Sequence, residues 1–518
     1  MFIKILLLII FFSVMILVGV LAHRKATDVN GFVLGGRSVG PWLTAFAYGT
    51  SYFSAVVFVG YAGQFGWKYG LSSTWVGLGN AFIGSLLAWV LLGRRTRVMT
   101  HHLDAKTMPE FFGKRYDSKA LRLIASLIVF IFLIPYTASV YSGLSNLFNM
   151  AFNFDYKWCV IVMALLTAVY VILGGYLATA INDFIQGIIM LVGIVCVIAA
   201  VLKGQGGFLA AIQKLSLIEN DPANTAPALM GLKGPFVSFF GPDPLNLLGV
   251  VVLTSLGTLG LPQMVGKFYA IKSEKAVKTG TIVSTFFAIV ISGGCYFLGG
   301  FGRLFDSAEI YSAAGKVQFD KIVPSMLSTL PDILIGIVIV LVLSASMSTL
   351  SSLVLTSSST FTLDFLKASV AKKMSDKVQL LVMRILIVFF IVLSVVIALN
   401  PPTFIAQLMG ISWGALAGAF LAPFLYGLFW KRTTKASVWA SFIYGVGITV
   451  VNMIHPIFKS PINCGAIAML GSLVIVPLVS ICSPKPKSEF TDSIFKCYDE
   501  KVEVTKKMVL KEEDSEEN

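Results

Sequence analysis

The chain has 518 residues, of which 56% are hydrophobic and only 13% are charged, and its mean hydropathy is +0.84. Soluble globular proteins carry about 25% charged residues, so half of the expected surface charge is missing. This composition excludes a soluble enzyme, a nucleic-acid-binding protein and a disordered scaffold. It indicates an all-α polytopic membrane protein.

The apolar runs predict thirteen membrane spans, since a spanning helix needs about 20 predominantly apolar residues. The spans lie near 3–22, 41–66, 71–93, 120–150, 158–177, 181–202, 246–266, 279–302, 331–366, 379–400, 403–430, 436–455 and 464–482. Arg24 and Lys25 follow the first run, which favours a retained helix with its N-terminus outside over a cleaved signal peptide.

The positions of the basic residues agree with this orientation. With the N-terminus outside and the C-terminus cytoplasmic, 30 of the 40 Lys and Arg fall in predicted cytoplasmic segments, among them the run from Lys267 to Lys278. The positive-inside rule thus accounts for most of the net charge of +14, and no nucleic-acid partner is needed. We predict that the polar segment after Ser483 is a mobile cytoplasmic tail.

Two spans contain residues that interrupt helices. The second carries Gly49 within a small polar cluster, and the seventh carries Gly257, Gly260 and Pro262 at a similar depth. Irregular backbone is tolerated there only where protein buries it or a cavity solvates it. Because the two spans are five apart, they run in opposite directions, which is typical of an inverted-repeat transporter with both breaks at one central site.

The ninth span is rich in hydroxyl groups between Ser344 and Thr360. Most of them are expected to bond carbonyls of their own helix. Ser348, Ser351 and Ser352 share one face by their spacing, whereas Thr349 is turned about 100° away. Hydroxyls and the freed carbonyls of a broken helix are suitable ligands for a monovalent cation.

Asp183 is the carboxylate that we expect to face the protein interior at the cytoplasmic end of the sixth span. A charge at bilayer depth costs about 2.5–3.5 kcal/mol even on the lenient insertion scale, so such a residue indicates function. The alternative is an exposed residue in the first turn of a helix, where the dipole favours an acid.

Four short motifs, in this order on these spans, give the chain a family resemblance. They are Leu34-Gly35-Gly36-Arg37-Ser38, Gly174-Gly175-Tyr176 through Asp183 to Gln186-Gly187, Ala345-Ser346-Met347-Ser348-Thr349-Leu350, and Gly427-Leu428-Phe429-Trp430-Lys431-Arg432. With them the chain resembles the sodium:solute symporter family over nearly its whole length. The resemblance implies a LeuT-type five-plus-five inverted repeat and alternating access driven by sodium.

The resemblance also implies the residues that bind sodium. Backbone carbonyls of Thr50, Phe53 and Ala345 would join the hydroxyls of Ser348 and Thr349. A second sodium site, known in some members, has a pattern of one aspartate and three serines, which Asp183, Ser348, Ser351 and Ser352 match here. No cofactor other than this coupling ion is expected.

The solute is expected between the two broken helices. The candidate residues there are Ser51, Tyr52, Ser54, Ala55, Thr254, Thr258 and Pro262. Family members that carry proline have an aspartate at the position of Tyr52 and a tryptophan at that of Thr254, and both departures weigh against proline. Tyr52-Phe53-Ser54-Ala55 and Gly257-Thr258-Leu259-Gly260-Leu261-Pro262 resemble the pantothenate and monocarboxylate branches. The resemblance therefore favours pantothenate or another small carboxylate, with proline or another amino acid as the alternative. No buried Arg or Lys is evident beside this site, so helix-end amides would bind a carboxylate.

The predicted organisation has two repeats with peripheral segments. Residues 1–40 hold the first helix and a cytoplasmic loop, 41–202 the first repeat, 203–245 an extracellular loop, 246–430 the second repeat, 431–482 the last two spans and 483–518 the tail. We expect a multi-pass plasma-membrane protein that functions as a monomer and is not an enzyme. A sensor built on a transporter fold is the alternative of a different class, and a proton-coupled carrier would need a titratable group in the central cavity.

Overall fold

The computed structural model describes residues 2–23, 28–219 and 231–499. The predictions for Arg24 and Lys25, for positions 220–230 of the extracellular loop and for 500–518 of the tail therefore lie outside the described residues. The described part is helical. Its β-type pairing is limited to isolated bridges, of which one joins Val39 to Ile271 in parallel.

The α-helices are numbered here in chain order. The first half of the chain contains α1 (Phe2–His23), α2 (Val29–Leu34), α3 (Pro41–Tyr52), α4 (Ala62–Tyr69), α5 (Thr74–Gly79), α6 (Arg94–His102), α7 (Met108–Arg115), α8 (Lys119–Phe152), α9 (Tyr156–Gly204) and α10 (Phe208–Ser216). The second half contains α11 (Pro244–Gly260), α12 (Pro262–Tyr269), α13 (Glu274–Ala288), α14 (Gly294–Gly299), α15 (Ile322–Ser328), α16 (Asp332–Thr360), α17 (Asp376–Leu399), α18 (Ile405–Phe429), α19 (Lys435–Ile454), α20 (Pro461–Cys482) and α21 (Ser488–Phe495).

Short helical segments of other geometry extend or connect these helices. Those of π geometry are Val56–Tyr61, Asn80–Leu87, Trp89–Gly93, Ile289–Gly293 and Phe361–Val370. Those of 3₁₀ geometry are Gly35–Arg37, Gly70–Ser73, Pro235–Val237, Gly302–Phe305, Ala308–Ile310, Phe319–Lys321 and Lys496–Tyr498.

Ten helical stretches of the described residues are long and apolar enough to cross a membrane. They are Phe2–Leu21, Val56–His102, Lys119–Phe152, Gly175–Gly204, Glu274–Gly299, Asp332–Val370, Asp376–Leu399, Ile405–Phe429, Lys435–Ile454 and Pro461–Cys482. If α11 and α12, which meet at a bend of 42°, are counted together as one span, the number of candidate spans in the described residues is eleven. The figure of thirteen spans and the sidedness of the termini stay predictions.

Two glycines, one between the second and third predicted spans and one near the end of the fifth, divide helical stretches. Gly70 has φ +62°, and a Cβ on it would lie 2.2 Å from the carbonyl oxygen of Phe236. Gly175, with φ +55° and ψ −160°, separates the two halves of α9, and a Cβ on it would lie 2.8 Å from Cδ2 of Phe32. Only glycine adopts such backbone angles without strain, so these residues fix where the chain turns.

The helices differ in how much of their surface the protein covers. α16 and α18 are largely buried, whereas α1, α17 and α20 expose many large apolar side chains. Outward-facing Leu, Ile, Val and Phe on peripheral helices are what lipid contact requires. α16 therefore lies at the centre of the bundle, packed against α3, α8 and α9.

The part of the tail that the structure describes is folded against the protein, so the prediction of a mobile appendix is wrong for it. The Lys431 ammonium lies 2.6 Å from the Asp492 carboxylate, and the backbone carbonyl of Ser493 lies 3.1 Å from Nε2 of His102. The Tyr498 ring stacks against the guanidinium of Arg95, which is 4.7 Å away. Two aromatic residues in a polar segment, Phe495 and Tyr498, supply the apolar contact that the composition did not suggest.

Candidate functional site

The first element of the site is the C-terminal end of α3, where the second predicted span is broken. α3 ends at Tyr52, Phe53 is extended (φ −95°, ψ 103°), and helical structure resumes at Val56. The last carbonyls of a helix have no N–H partner further along the chain. The break therefore leaves backbone oxygens of α3 available to other groups.

Gly49 lies before this break and remains helical. A Cβ on Gly49 would lie 2.5 Å from Cδ1 of Phe287, so the glycine lets α13 pack directly on α3. The backbone opens instead around Ser54 and Ala55. The Ala55 N–H, which has lost its helical acceptor, donates to Oγ of Ser346 at 3.1 Å and so ties the break to α16.

Two hydroxyls of α16 meet the freed carbonyls of α3. Ser348 Oγ donates to the carbonyls of Thr50 at 2.9 Å and Ala345 at 3.0 Å. Thr349 Oγ1 lies 3.3 Å from the carbonyl oxygen of Thr50, 3.2 Å from that of Ser51 and 3.1 Å from that of Ala345. Two hydroxyl protons thus face three carbonyl oxygens, and all five residues are buried. A buried cluster with more acceptors than donors favours a cation.

The structure brings together four of the five residues that the resemblance placed at the sodium site. Among the described residues, neither hydroxyl donates to the carbonyl of Phe53, and Thr349 reaches that of Ser51 instead. Ser51, expected at the solute, thus contributes its carbonyl to this cluster. Thr349 joins Ser348 there although the two lie about 100° apart on their helix, because the end of α3 lies across both positions.

The residues of the predicted second sodium site lie close to a lysine. Asp183 is fully buried, which confirms that it faces the interior. The ammonium of Lys267 lies 3.7 Å from its Oδ2 and donates to Oγ of Ser352 at 2.9 Å. Ser352 Oγ also shares a hydrogen bond of 2.7 Å with Oγ of Ser51, and the hydroxyl of Ser351 donates to the backbone carbonyl of Ser348 at 2.9 Å.

Two expectations about basic residues are therefore wrong. Lys267 was assigned to a cytoplasmic loop, and no buried Lys or Arg was evident near the site, yet its side chain is only 4% exposed. α12 continues inside the protein for two turns after the bend at Leu261, and Lys267 lies on its inner face. The polar neighbours Gln263 and Lys267, spaced one helical turn apart after a proline, were the signal for this.

The two broken spans meet through Tyr52. Its hydroxyl donates to the carbonyl of Thr254 at 3.2 Å, and its ring lies 5.4 Å from that of Trp413. Trp413 comes close because Gly257 has no side chain: a Cβ there would lie 2.5 Å from the indole. Tyr136 packs on the other part of the same indole at 5.9 Å, so aromatic rings line the space beside the break.

The other predicted solute residues are engaged locally. Ser54 Oγ accepts a hydrogen bond from the Val56 N–H at 3.2 Å, and Pro262 begins α12. The Thr254 hydroxyl returns to the Val250 carbonyl at 2.9 Å. Thr258 donates to the carbonyl of Gly84 at 2.9 Å, so its hydroxyl serves a contact with the third predicted span.

Several buried polar groups near the breaks have no hydrogen-bond partner among the residues that the structure describes. They include both amide atoms of Gln263, the indole N–H of Trp413 and the hydroxyls of Tyr61, Tyr136 and Tyr296. Buried polar groups are nearly always paired, so such a concentration indicates a place for a polar ligand. These groups were missed because an isolated Tyr, Trp or Gln in an apolar run looks like core.

One end of the bundle is closed by backbone contacts next to these helices. The Val39 N–H donates to the carbonyl of Ala270 at 3.2 Å, and the Lys272 N–H donates back to that of Val39 at 3.1 Å. The guanidinium of Arg37 donates to the carbonyl of Ala105 at 2.8 Å, and burial lowers its pKa. The loop before α3 is thus joined to the end of α12.

Comparisons with known proteins agree on one family. Residues 32–445 match the sequence profile of the sodium:solute symporter family. The osmoregulated proline transporter OpuE of Bacillus subtilis (strain 168) is 30% identical over 460 residues, which cover 87% of this chain and 89% of that protein. A sodium/proline symporter of Staphylococcus aureus (strain JH9) is 30% identical over 463 residues, which cover 85% of this chain and 84% of that protein.

Solved structures show the same fold. One is a Na⁺-coupled sialic acid symporter, described as substrate-bound, outward-open and with a novel Na⁺ site. It superposes on this chain with a TM-score of 0.73 at 18% sequence identity, and the superposition covers 94% of this chain and 99% of the symporter. Mhp1, a nucleobase-cation-symport-1 family transporter, reaches a TM-score of 0.52 at 13% identity, covering 89% and 97% respectively.

Proposed function

Because this chain belongs to the sodium:solute symporter family and is a sodium-coupled solute symporter of the membrane, we propose that its solute is an amino acid, with proline as the first candidate. Two relatives that align over most of the chain are named for proline, which favours the alternative of the sequence analysis over pantothenate. Proline is a zwitterion without net charge, so it suits a site where the buried Lys267 is already paired with Asp183.

The proposed sodium site is the oxygen cluster between α3 and α16. Its ligands are the carbonyls of Thr50, Ser51 and Ala345 and the hydroxyls of Ser348 and Thr349, with the Phe53 carbonyl retained as a predicted ligand. The observation that supports it is the excess of buried acceptors over donors in this cluster. A cation there binds α3 to α16, because its ligands belong to both helices.

The proposed solute site lies next to this cluster, between the breaks at Phe53 and Leu261. Tyr52 and Trp413 offer apolar faces for a small ring, and Gln263 offers an amide donor and acceptor. N–H groups at the start of a helix favour a carboxylate. The solute would therefore contact side chains and backbone of both broken spans.

The proposed mechanism is alternating access by two inverted repeats, 41–202 and 246–430. The two breaks support it, since they fall in the corresponding spans of the repeats. One charge moving through about 100 mV supplies roughly 2.3 kcal/mol, and a tenfold sodium gradient adds about 1.4 kcal/mol. Together they allow one sodium to accumulate a neutral solute on the order of several hundredfold.

A small carboxylate such as pantothenate is the second candidate. It is favoured by Tyr52 and Thr254, which stand where the proline carriers that the chain resembles have an aspartate and a tryptophan. A monoanion moving with one sodium would transfer no net charge, so the membrane potential would not drive it.

The test is initial uptake into proteoliposomes that contain the purified protein. Labelled proline, pantothenate, pyruvate and lactate are offered with an inward sodium gradient and, as a control, with an equal potassium gradient. We expect the sodium gradient to stimulate the uptake of proline, and an inside-negative membrane potential to increase it further. Sodium-stimulated uptake of pantothenate alone would replace proline by the second candidate, and equal uptake in sodium and potassium would contradict the sodium site.

A further inference from the structure

Lys267 places a positive charge inside the bundle at a point where a bound cation would otherwise be expected. Its side chain is 4% exposed and that of Asp183 is 0% exposed, so the pair has almost no contact with solvent. The ammonium lies 3.7 Å from Asp183 Oδ2, 2.9 Å from Ser352 Oγ and 5.2 Å from the centre of the Tyr176 ring. It is thus surrounded by a carboxylate, a hydroxyl and an aromatic face, which are all groups that stabilise a cation.

The hydroxyls of the three serines that accompany Asp183 in the two-sodium pattern all have hydrogen-bond partners of their own. Ser348 directs its hydroxyl to the carbonyls of Thr50 and Ala345 and belongs to the sodium cluster. Ser351 bonds a carbonyl of its own helix. Ser352 accepts the hydrogen bond of Lys267, so the ammonium already lies against the oxygens of two members of the set, Asp183 and Ser352.

A sodium ion at this position would leave the pair with an uncompensated charge. Asp183 and Lys267 are neutral together, whereas sodium, Asp183 and Lys267 carry a net positive charge in a buried place. Two unit positive charges about 4 Å apart repel one another enough, at an effective dielectric constant of about 20, to weaken sodium binding by about a thousandfold.

We infer that the ammonium of Lys267 is a tethered cation that replaces the second sodium of this fold, so that the chain binds a single Na⁺ in each transport cycle. This inference rests on the proposed sodium-coupled function and deepens it by fixing the number of coupling ions. With a neutral solute, one positive charge then moves in each cycle.

The test counts sodium bound to the purified full-length protein in lipid nanodiscs, without solute. Radioactive sodium is titrated against the wild type, against Lys267→Gln, and against Lys272→Gln, which alters an exposed lysine in the connection after α12. We expect one ion per chain in the wild type and in Lys272→Gln. Lys267→Gln leaves Asp183 without its cation, so we expect it to bind two.

The double variant Lys267→Gln with Asp183→Asn removes both charges and is the matched control. It offers a second sodium no carboxylate, and we expect it to return to one ion per chain. Thermal unfolding gives an independent measure, because stabilisation by a ligand grows with the logarithm of its concentration for each site. At saturating sodium, the free energy of unfolding should rise about twice as steeply with the logarithm of the sodium concentration for Lys267→Gln as for the wild type.

Two results would overturn the inference. One is a wild type that binds two sodium ions, which decides the matter even if Lys267→Gln does not fold. The other is a folded Lys267→Gln that still binds one. A wild type without saturable sodium binding would instead contradict the proposed sodium coupling itself, and the inference would fall with it.

Discussion

Thr349 shows how a common residue becomes a ligand through its surroundings. Its hydroxyl lies within hydrogen-bond distance of three carbonyl oxygens, but it has only one proton to donate. Serines elsewhere on α16, such as Ser358, bond only carbonyls of their own helix. What distinguishes Thr349 is the broken end of α3, which places the carbonyls of Thr50 and Ser51 beside its hydroxyl.

Replacing Thr349 by alanine tests this role. A hydrogen-bonding group that faces a charge contributes about 1.5–3 kcal/mol, so Thr349→Ala should raise the sodium concentration for half-maximal uptake about 10- to 100-fold. Thr349→Ser retains the hydroxyl and should remain near the wild type, as should Ser358→Ala. Unchanged sodium activation of Thr349→Ala would remove Thr349 from the site.

Gln263 allows a test of the solute site that separates binding from folding. Its buried amide has no hydrogen-bond partner among the described residues, so Gln263→Leu should leave the thermal unfolding temperature unchanged or raise it. If the amide binds the solute, the same change should raise KM at least tenfold while sodium binding without solute stays as in the wild type. A variant that keeps both KM and stability would show that the amide has no part in recognition.

The helix breaks are the elements that could best be predicted from the sequence. Pro262, beside Gly257 and Gly260, located the second break closely, and Gly49 located the first to within a turn. Ser348 and Thr349 followed from the resemblance, because short motifs fix positions in a helix. Lys267 could not be predicted by counting charges, since α12 stays buried in the protein after its 42° bend from α11.

Gly175 tests whether the turn within α9 depends on glycine. Gly175→Ala must hold an L-residue at φ +55° and place a Cβ 2.8 Å from Phe32, so we expect a loss of about 1–3 kcal/mol in the free energy of unfolding. Gly204→Ala is the control, because a Cβ there meets nothing within 4 Å. Equal thermal unfolding temperatures for the two variants would refute this account of the turn.

At the scale of the whole molecule, Asp320 joins a short connecting segment to the start of a central helix. Its Oδ2 accepts a hydrogen bond from the Ile405 N–H at 3.2 Å, whereas its Oδ1 is buried and has no partner in the described part of the chain. Burial raises the pKa of this carboxyl to about 7. The segment Phe319–Lys321 and α18 are thus held together by a group that titrates near neutral pH.

The stability of the protein should therefore fall as the pH rises through this range. The folded state binds the Asp320 proton more tightly than the unfolded state, in which the pKa of the carboxyl group is about 3.9. The contribution of Asp320 to the free energy of unfolding therefore declines between pH of about 4 and about 7. Asp320→Asn keeps an acceptor for Ile405 and should lose less stability than the wild type between pH of about 5 and about 8. Glu309→Gln, at an exposed neighbouring position, should behave as the wild type. Identical pH profiles of thermal unfolding for Asp320→Asn and the wild type would contradict the assignment.

The pairing of Asp183 with Lys267 also has an electrical consequence for the return half of the cycle. The oxygen cluster between α3 and α16 is neutral, and the buried pair adds no net charge. Neither group then moves net charge across the field when the carrier without sodium and solute reorients, so at these two groups the membrane potential acts only on the loaded carrier. Rapid voltage steps in sodium-free solution should accordingly produce no transient current from this protein.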